Sequence, residues 1–261
     1  MNINCVEYNN LKKIPTMNGS YGYLATYKGL DEDKVIKILC DEHEKKEKII
    51  NRFIDQKFIK GSGCPIEKFY VSNKFIGFIM YFYKDALTFE DCIYKNKFNY
   101  QEHLKAVLDC CNQLREIHKR NLVFNDVALR NQLIDKNGGH LVDFDAVTEK
   151  TENLIETHYN LTLSGKVIPS CYNLDKLKQV LANLSLIYGI NFEDIIYIKG
   201  FDVTSLFRIF KYNKEIYNLL DSYLCNDQSK PYFDILKDYL YDEEKVAYDR
   251  ATVYKKTLTL I

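Results

Sequence analysis

Residues His118 to Val147 read HKRNLVFNDVALRNQLIDKNGGHLVDFDAV. Three short apolar runs lie in this stretch, and each ends on polar side chains. The first, Leu122-Val123-Phe124, delivers Asn125 and Asp126, and Asn131 follows five residues after Asp126. The second, Gln132 to Ile134, leads into a polar turn at Lys136-Asn137-Gly138-Gly139. The third, Leu141-Val142, ends on Asp143-Phe144-Asp145. The interval from Asn131 to Asp143 suits a tight hairpin between two strands. Two carboxylates and one amide therefore stand at the ends of short buried strands, an arrangement for holding a divalent metal and a reacting hydroxyl. A purely structural reading competes with it, in which Asp126 and Asn131 form a turn network and Asp143 caps a strand end.

The stretch resembles the catalytic loop and metal-binding segment of the protein-kinase-like superfamily, H-R-D-L-x-x-x-N followed by D-F-G. Here the order is F-N-D-V-A-L-R-N and then D-F-D, and the Asp-to-Asn spacing agrees residue for residue. The resemblance covers Leu11 to Gly189. It implies an α+β, two-lobed kinase-like fold, with a small β-rich lobe over residues 1–84 and a mostly helical lobe over 85–261. It also implies ATP and Mg²⁺ as cofactors. Asp143 and Asn131 would hold the metal, and Asp126 would orient an acceptor hydroxyl and take its proton. Phosphoryl transfer is largely positioning and charge neutralisation. Mg²⁺ prefers oxygen ligands and keeps several waters, so one carboxylate and one amide oxygen can suffice.

The N-terminal part carries the expected nucleotide-binding residues. Met17-Asn18-Gly19-Ser20-Tyr21-Gly22 is similar to the family's glycine-rich loop, with Gly19 and Gly22 in the second and third glycine places and Met17 in the first. Glycine there lets backbone N–H groups approach phosphate without a Cβ in the way. Taken alone, a G-x-x-G is an ordinary hairpin turn. Val35-Ile36-Lys37-Ile38-Leu39 places a lysine inside an apolar strand, which is uncommon unless the lysine is paired. By resemblance Lys37 contacts the α- and β-phosphates. A helix is expected from Asp41 to Gly61, with Ile49-Ile50, Phe53-Ile54 and Phe58 at helical spacing. Its acid partner for Lys37 stays open between Glu47, Asp55 and Gln56. Strands are expected at Lys68–Val71 and Phe75–Phe82. Met80 would sit at the back of the nucleotide pocket, and backbone groups of Tyr81-Phe82-Tyr83 would bind adenine.

Beyond the boundary at Lys84-Asp85-Ala86, Thr88 reads as a helix N-cap, and Tyr100 to Lys119 carries one apolar stripe. His118, at the end of that stripe, reads as a packed structural residue. The family's H-R is replaced by Phe124-Asn125, which removes the arginine that reads a phosphorylated activation segment. Asp145 replaces the glycine of D-F-G, as in small-molecule and lipopolysaccharide-sugar kinases of the wider superfamily. Thr148 to Tyr172 reads as a loop-like segment without A-P-E. Asp175, opening a helix from Leu177 to Tyr188, matches the family aspartate that bonds the catalytic-loop backbone. Helices are then expected at Phe192–Ile198, Val203–Phe210, Lys214–Leu224, Pro231–Leu240 and Glu243–Tyr254.

Composition narrows the classes. The 261 residues carry 36 Lys+Arg against 36 Asp+Glu, so no global basic field points to nucleic acid. No apolar run is long enough to span a bilayer. The eight cysteines lack a C-x-x-C pair, which points to reduced thiols in a cytoplasmic protein. The expected function is transfer of the ATP γ-phosphoryl to a hydroxyl, on a protein Ser, Thr or Tyr. The alternatives are a small-molecule kinase and a pseudokinase that binds nucleotide as a scaffold.

Overall fold

In the computed structural model, residues 1–19, 22–41, 43–95, 97–149, 171–199, 208–211, 213–224 and 236–260 are described. They form an α+β structure. Its N-terminal part is a six-stranded sheet of β1 (Asn2–Ile3), β2 (Lys12–Gly19), β3 (Gly22–Thr26), β4 (Lys34–Leu39), β5 (Glu67–Val71) and β6 (Lys74–Tyr81), in the order β1-β5-β6-β4-β3-β2. The sheet is mixed, because β1 runs parallel to β5 while the other pairs are antiparallel. Neither β1 nor the short helix α1 (Cys5–Asn9), capped by Asn4 and Glu7, has an apolar alternation that would announce it.

Strand β4 shows how pattern becomes position. Side chains alternate across a strand. Val35 and Leu39 pack with Leu24, Ile50, Phe75, Phe78 and Met80, whereas Ile36 and Ile38 pack with Ile3, Phe69 and Ile79 on the opposite face. Lys37 shares the face of Val35 and Leu39, the face that carries Ile50 of α2 (His43–Ile54).

Helix α2 ends seven residues before the expected Gly61. Asp55 and Gln56 follow it, exposed, in a bend. Beyond them Phe58 meets Tyr81 edge-on with centroids 5.3 Å apart and packs against the main core, which Ile59 enters.

The remainder is mostly helical. After β7 (Leu87–Thr88) come α3 (Phe89–Lys95) and α4 (Tyr100–Lys119). Thr88 caps α3, its hydroxyl accepting from Asp91 N at 2.9 Å. Helix α4 has the expected bounds, fixed at its start by a capping box between Asn99 and Glu102. Its buried stripe of Leu104, Val107, Cys111, Leu114 and Ile117 anchors the main core.

The expected hairpin is present as β9 (Gln132–Asp135) and β10 (Gly138–Leu141), with β7 alongside β9. A Cβ on Gly139 would stand 2.1 Å from the Ala106 carbonyl oxygen, so this glycine permits β10 to lie against α4. Gln113 of α4 completes the junction, donating to Gly139 O and accepting from Leu141 N, both at 2.7 Å.

Strands β8 (Leu122–Val123) and β11 (Thr148–Glu149) pair antiparallel. The later helices are α5 (Cys171–Tyr188), α6 (Phe192–Lys199), α7 (Lys214–Leu224), α8 (Lys237–Tyr241) and α9 (Glu243–Leu260). The last runs past the expected Tyr254. The loop expected over 148–172 lies mostly outside the described residues, as do residues 203–207 and 231–235 of the helices expected at 203–210 and 231–240. Among the described residues, Cys5, Cys40, Cys64, Cys92, Cys110 and Cys111 are free thiols, and no helix is long and apolar enough to cross a membrane.

Candidate functional site

The site begins where β10 ends. Asp143 takes a left-handed backbone conformation, φ 70° and ψ 58°, which turns the chain into a 3-10 turn at Phe144–Ala146. Aspartate and asparagine enter that region more readily than other non-glycine residues. Asn125, preceding Asp126, is also left-handed at φ 67°. Unusual backbone of this kind concentrates at working sites when the surroundings hold it, and here they do. Phe144 is buried edge-on against Phe53 of α2 and against Phe124, each at 5.2 Å between centroids. That aromatic row ties the turn to α2 on one side and to the Asp126 loop on the other.

Asp175 supports the Asp126 loop from below. Its carboxylate accepts from Phe124 N at 2.7 Å, from Asn125 N at 2.9 Å and from His118 Nε2 at 3.0 Å, all buried. His118 is thus a structural residue, stacked on Tyr172 with centroids 4.4 Å apart. Lys178 donates to Asn125 O at 2.8 Å, and burial lowers its ammonium pKa. Asn125 Nδ2 donates to Ala146 O at 2.8 Å and to Thr148 Oγ1 at 3.0 Å, linking the loop to the segment after Asp145. An asparagine with this bridging role stands where the family pattern has arginine.

Asn131 Nδ2 donates to Asp126 O at 2.9 Å and to Asp126 Oδ2 at 2.8 Å. The turn network foreseen as the rival reading therefore exists, and it aligns the two site residues. Val142 N donates to Asn131 O at 3.0 Å, which brings Asn131 beside the residue preceding Asp143. Arg130 Nη2 lies 3.2 and 3.3 Å from the two Asp126 carboxylate oxygens.

Lys37 reaches this end of the hairpin from β4. Its Nζ donates to Asp143 Oδ1 at 2.6 Å and lies 3.3 Å from Asp145 Oδ2, the latter outside hydrogen-bonding geometry. Burial opposes the Lys37 charge, but Asp143 and then Asp145 outweigh it, so its pKa is raised. Asp145 is pushed up to about 6, first by burial and then by Asp143, against the pull of Lys37.

None of the three candidate partners on or after α2 meets Lys37. Glu47 accepts from Tyr70 OH at 2.8 Å and lies 3.4 Å from Lys68 Nζ, while Asp55 and Gln56 are exposed. The acids beside Lys37 come instead from the turn after β10.

The other expected nucleotide residues divide. Gly19 and Gly22 face each other at the closed end of the β2–β3 hairpin, and Ser20 lies outside the described residues. Gly22 has a packing reason as well as any ligand reason. A Cβ there would stand 2.2 Å from Ile38 O and 3.2 Å from Lys37 Cε. Met80 is buried, and a Cβ on Gly63 would touch both Met80 Cε and Val142 Cγ1, so Met80 and the Asp143 approach share one neighbour. Phe82 N donates to Asp33 O at 2.8 Å, so that N–H is already committed. A groove of about 750 Å³ beside this segment is lined by Phe58, Tyr81, Phe82, Lys84, Phe98 and Lys136, and it includes neither Lys37 nor Asp126 nor Asp143.

Sequence reading passed over Glu193 on α6. Its carboxylate accepts from Leu129 N at 2.8 Å, and burial pushes its pKa up to about 7. It follows the end of the family resemblance and reads as an ordinary acid in a first helical turn.

The donor set suits an oxygen-preferring divalent ion. Lys37, Asp143 and Asp145 together carry more negative than positive formal charge in a largely buried place. Asn131 commits its amide hydrogens to Asp126, which leaves its oxygen as the ligating end. Among the described residues no cluster of three or more His, Cys, Asp or Glu forms an all-protein cage. Mg²⁺ does not require one, because waters and phosphates complete its shell. No protein-family model matches the chain, and no curated protein matches it.

Proposed function

We propose that the chain is an ATP- and Mg²⁺-dependent phosphotransferase with a two-lobed protein-kinase-like fold, moving the γ-phosphoryl group to a hydroxyl on a protein Ser, Thr or Tyr. One observation carries the reading. Lys37 and Asp143, 106 residues apart in sequence, meet at 2.6 Å beside Asn131 and Asp126. A buried lysine, a carboxylate, an amide and a second carboxylate at one junction are the parts that phosphoryl transfer uses.

Lys37 neutralises charge on the α- and β-phosphates. Asp143 and Asn131 would hold a divalent metal, which would supply further charge neutralisation for the phosphates. Asp126, held by Asn131, orients the acceptor hydroxyl and takes its proton as the acceptor oxygen bonds to the γ-phosphorus. The bond from that phosphorus to the β–γ bridging oxygen breaks, and ADP leaves. The chain from Asp175 through the Asn125 backbone keeps Asp126 in place. The aromatic row Phe53, Phe144 and Phe124 keeps Asp143 in register with it.

A second reading places the hydroxyl on a small molecule. It draws on the absence of A-P-E and on Asp145 in the family's glycine position. Incubation with γ-labelled ATP and Mg²⁺, comparing wild type with Asp126→Ala, separates the readings. Label entering protein and lost in the variant supports a protein acceptor. Label entering only added metabolites supports the second reading. Equal background in both proteins, with nucleotide still bound, indicates a scaffold.

A further inference from the structure

Lys37 has two carboxylates where a phosphate-binding lysine needs one. Asp143 Oδ1 is the nearer, at 2.6 Å. Asp145 Oδ2 is at 3.3 Å, its side chain 2% exposed. Asp145 Oδ2 forms no hydrogen bond among the described residues; it stands between two charges, the Lys37 ammonium at 3.3 Å and the neighbouring Asp143 carboxylate. The α2 acid best placed by sequence, Glu47, is committed to Tyr70 and Lys68 on β5. Lys46, also on α2, lies 3.7 Å from Asp41, and its charge is the smallest of the influences on Asp145. The acids at this junction therefore sit on the turn after β10, while Glu47 of α2 faces β5.

We infer that Asp145 is the positioning acid that fixes Lys37, replacing an acid on α2 and leaving the Asp143 carboxylate available to a metal. This rests on the phosphotransferase reading for what Lys37 does once fixed. A single acid at Asp143 would have to serve the lysine and the metal together. The second acid, two residues on and anchored by the buried Phe144, divides the two tasks.

The test is a charge transplant. Asp145→Gly, which restores the glycine of the family pattern, is expected to raise the ATP KM about tenfold, with kcat changed less than about threefold, because a contact made before and during transfer is weakened. Adding Lys46→Glu to that variant returns an acid to α2 and is expected to bring KM back to within about threefold of wild type. A KM for Asp145→Gly within about twofold of wild type overturns the inference while the phosphotransferase reading stands. So does a loss that neither Lys46→Glu nor the conservative Asp145→Glu recovers, which assigns Asp145 to the turn alone.

If wild type binds no nucleotide, the functional reading fails, and trace acetylation of Lys37 decides the inference by itself. Measured by mass spectrometry against the exposed Lys60, Lys37 labelling should rise several-fold in Asp145→Gly and fall again on adding Lys46→Glu. Equal labelling in all three proteins overturns it.

Discussion

Replacing Asp175 with alanine isolates the support beneath the Asp126 loop. The carboxylate is 1% exposed and accepts three hydrogen bonds, from Phe124 N, Asn125 N and His118 Nε2, at 2.7, 2.9 and 3.0 Å. Alanine leaves all three donors facing a small apolar void. An unsatisfied buried donor costs about 1–3 kcal/mol. A molecule of water admitted to the void would recover part of that. The expected loss is therefore about 3–5 kcal/mol, a large fraction of the ~5–15 kcal/mol typical of a folded domain. Asp175→Asn should lose less, since one oxygen still accepts. Urea denaturation followed by circular dichroism measures both, with an unchanged m-value showing that the transition is the same one. Asp126→Ala is the companion. Its carboxylate is 22% exposed, pairs with a half-exposed Arg130 and accepts from Asn131 Nδ2, which keeps its bond to Asp126 O, so its removal should cost about 1–2 kcal/mol. An Asp175→Ala protein within about 0.5 kcal/mol of wild type would refute the reasoning, because the loop would then be held by something other than this carboxylate.

Further expectations follow from the same contacts. Phe144→Ala removes the central ring of the Phe53, Phe144 and Phe124 row and should cost about 3–5 kcal/mol by thermal or chemical denaturation. Gly22→Ala forces a Cβ to 2.2 Å from Ile38 O, and the strand shift this demands should cost about 1–3 kcal/mol and weaken nucleotide binding by moving Lys37. Burial raises the Glu193 pKa from its ordinary 4.5 to about 7, so the folded state holds a proton that the unfolded state releases. Its contribution is nil below the unfolded value, and stability falls as pH rises from about 4.5 to about 7. Glu193→Gln should flatten that slope and stabilise the protein above pH 7 by ~2–3 kcal/mol, read from denaturation curves at a series of pH values.

Sequence reading reached furthest where local chemistry is self-contained. The β9–β10 hairpin, the Thr88 cap, helix α4 with its bounds, and the Asp175 contact to the loop follow from turn residues, periodicity and motif spacing. Pairings set by tertiary packing were not legible. The acid beside Lys37 is expected on or just after α2, but Glu47 meets the Tyr70 hydroxyl on β5, and Asp143 and Asp145 of the turn after β10 stand beside the lysine instead. The expected α2 is longer than the observed one because Phe58 keeps helical spacing while lying beyond the helix, against Tyr81 and the main core. Strand β1 has two residues and no alternation of its own, and it exists because β5 offers an edge. Gly22 reads as a phosphate contact from its motif, and its packing role, the β4 backbone leaving no room for a side chain, comes from tertiary structure.

Binding of ATP measured by titration calorimetry, with and without Mg²⁺, tests the central claim most directly. The account predicts Mg²⁺-dependent binding to wild type, lost or weakened at least about tenfold in both Lys37→Met and Asp143→Asn. Affinity for Mg²⁺-ATP that is the same in all three proteins would contradict it.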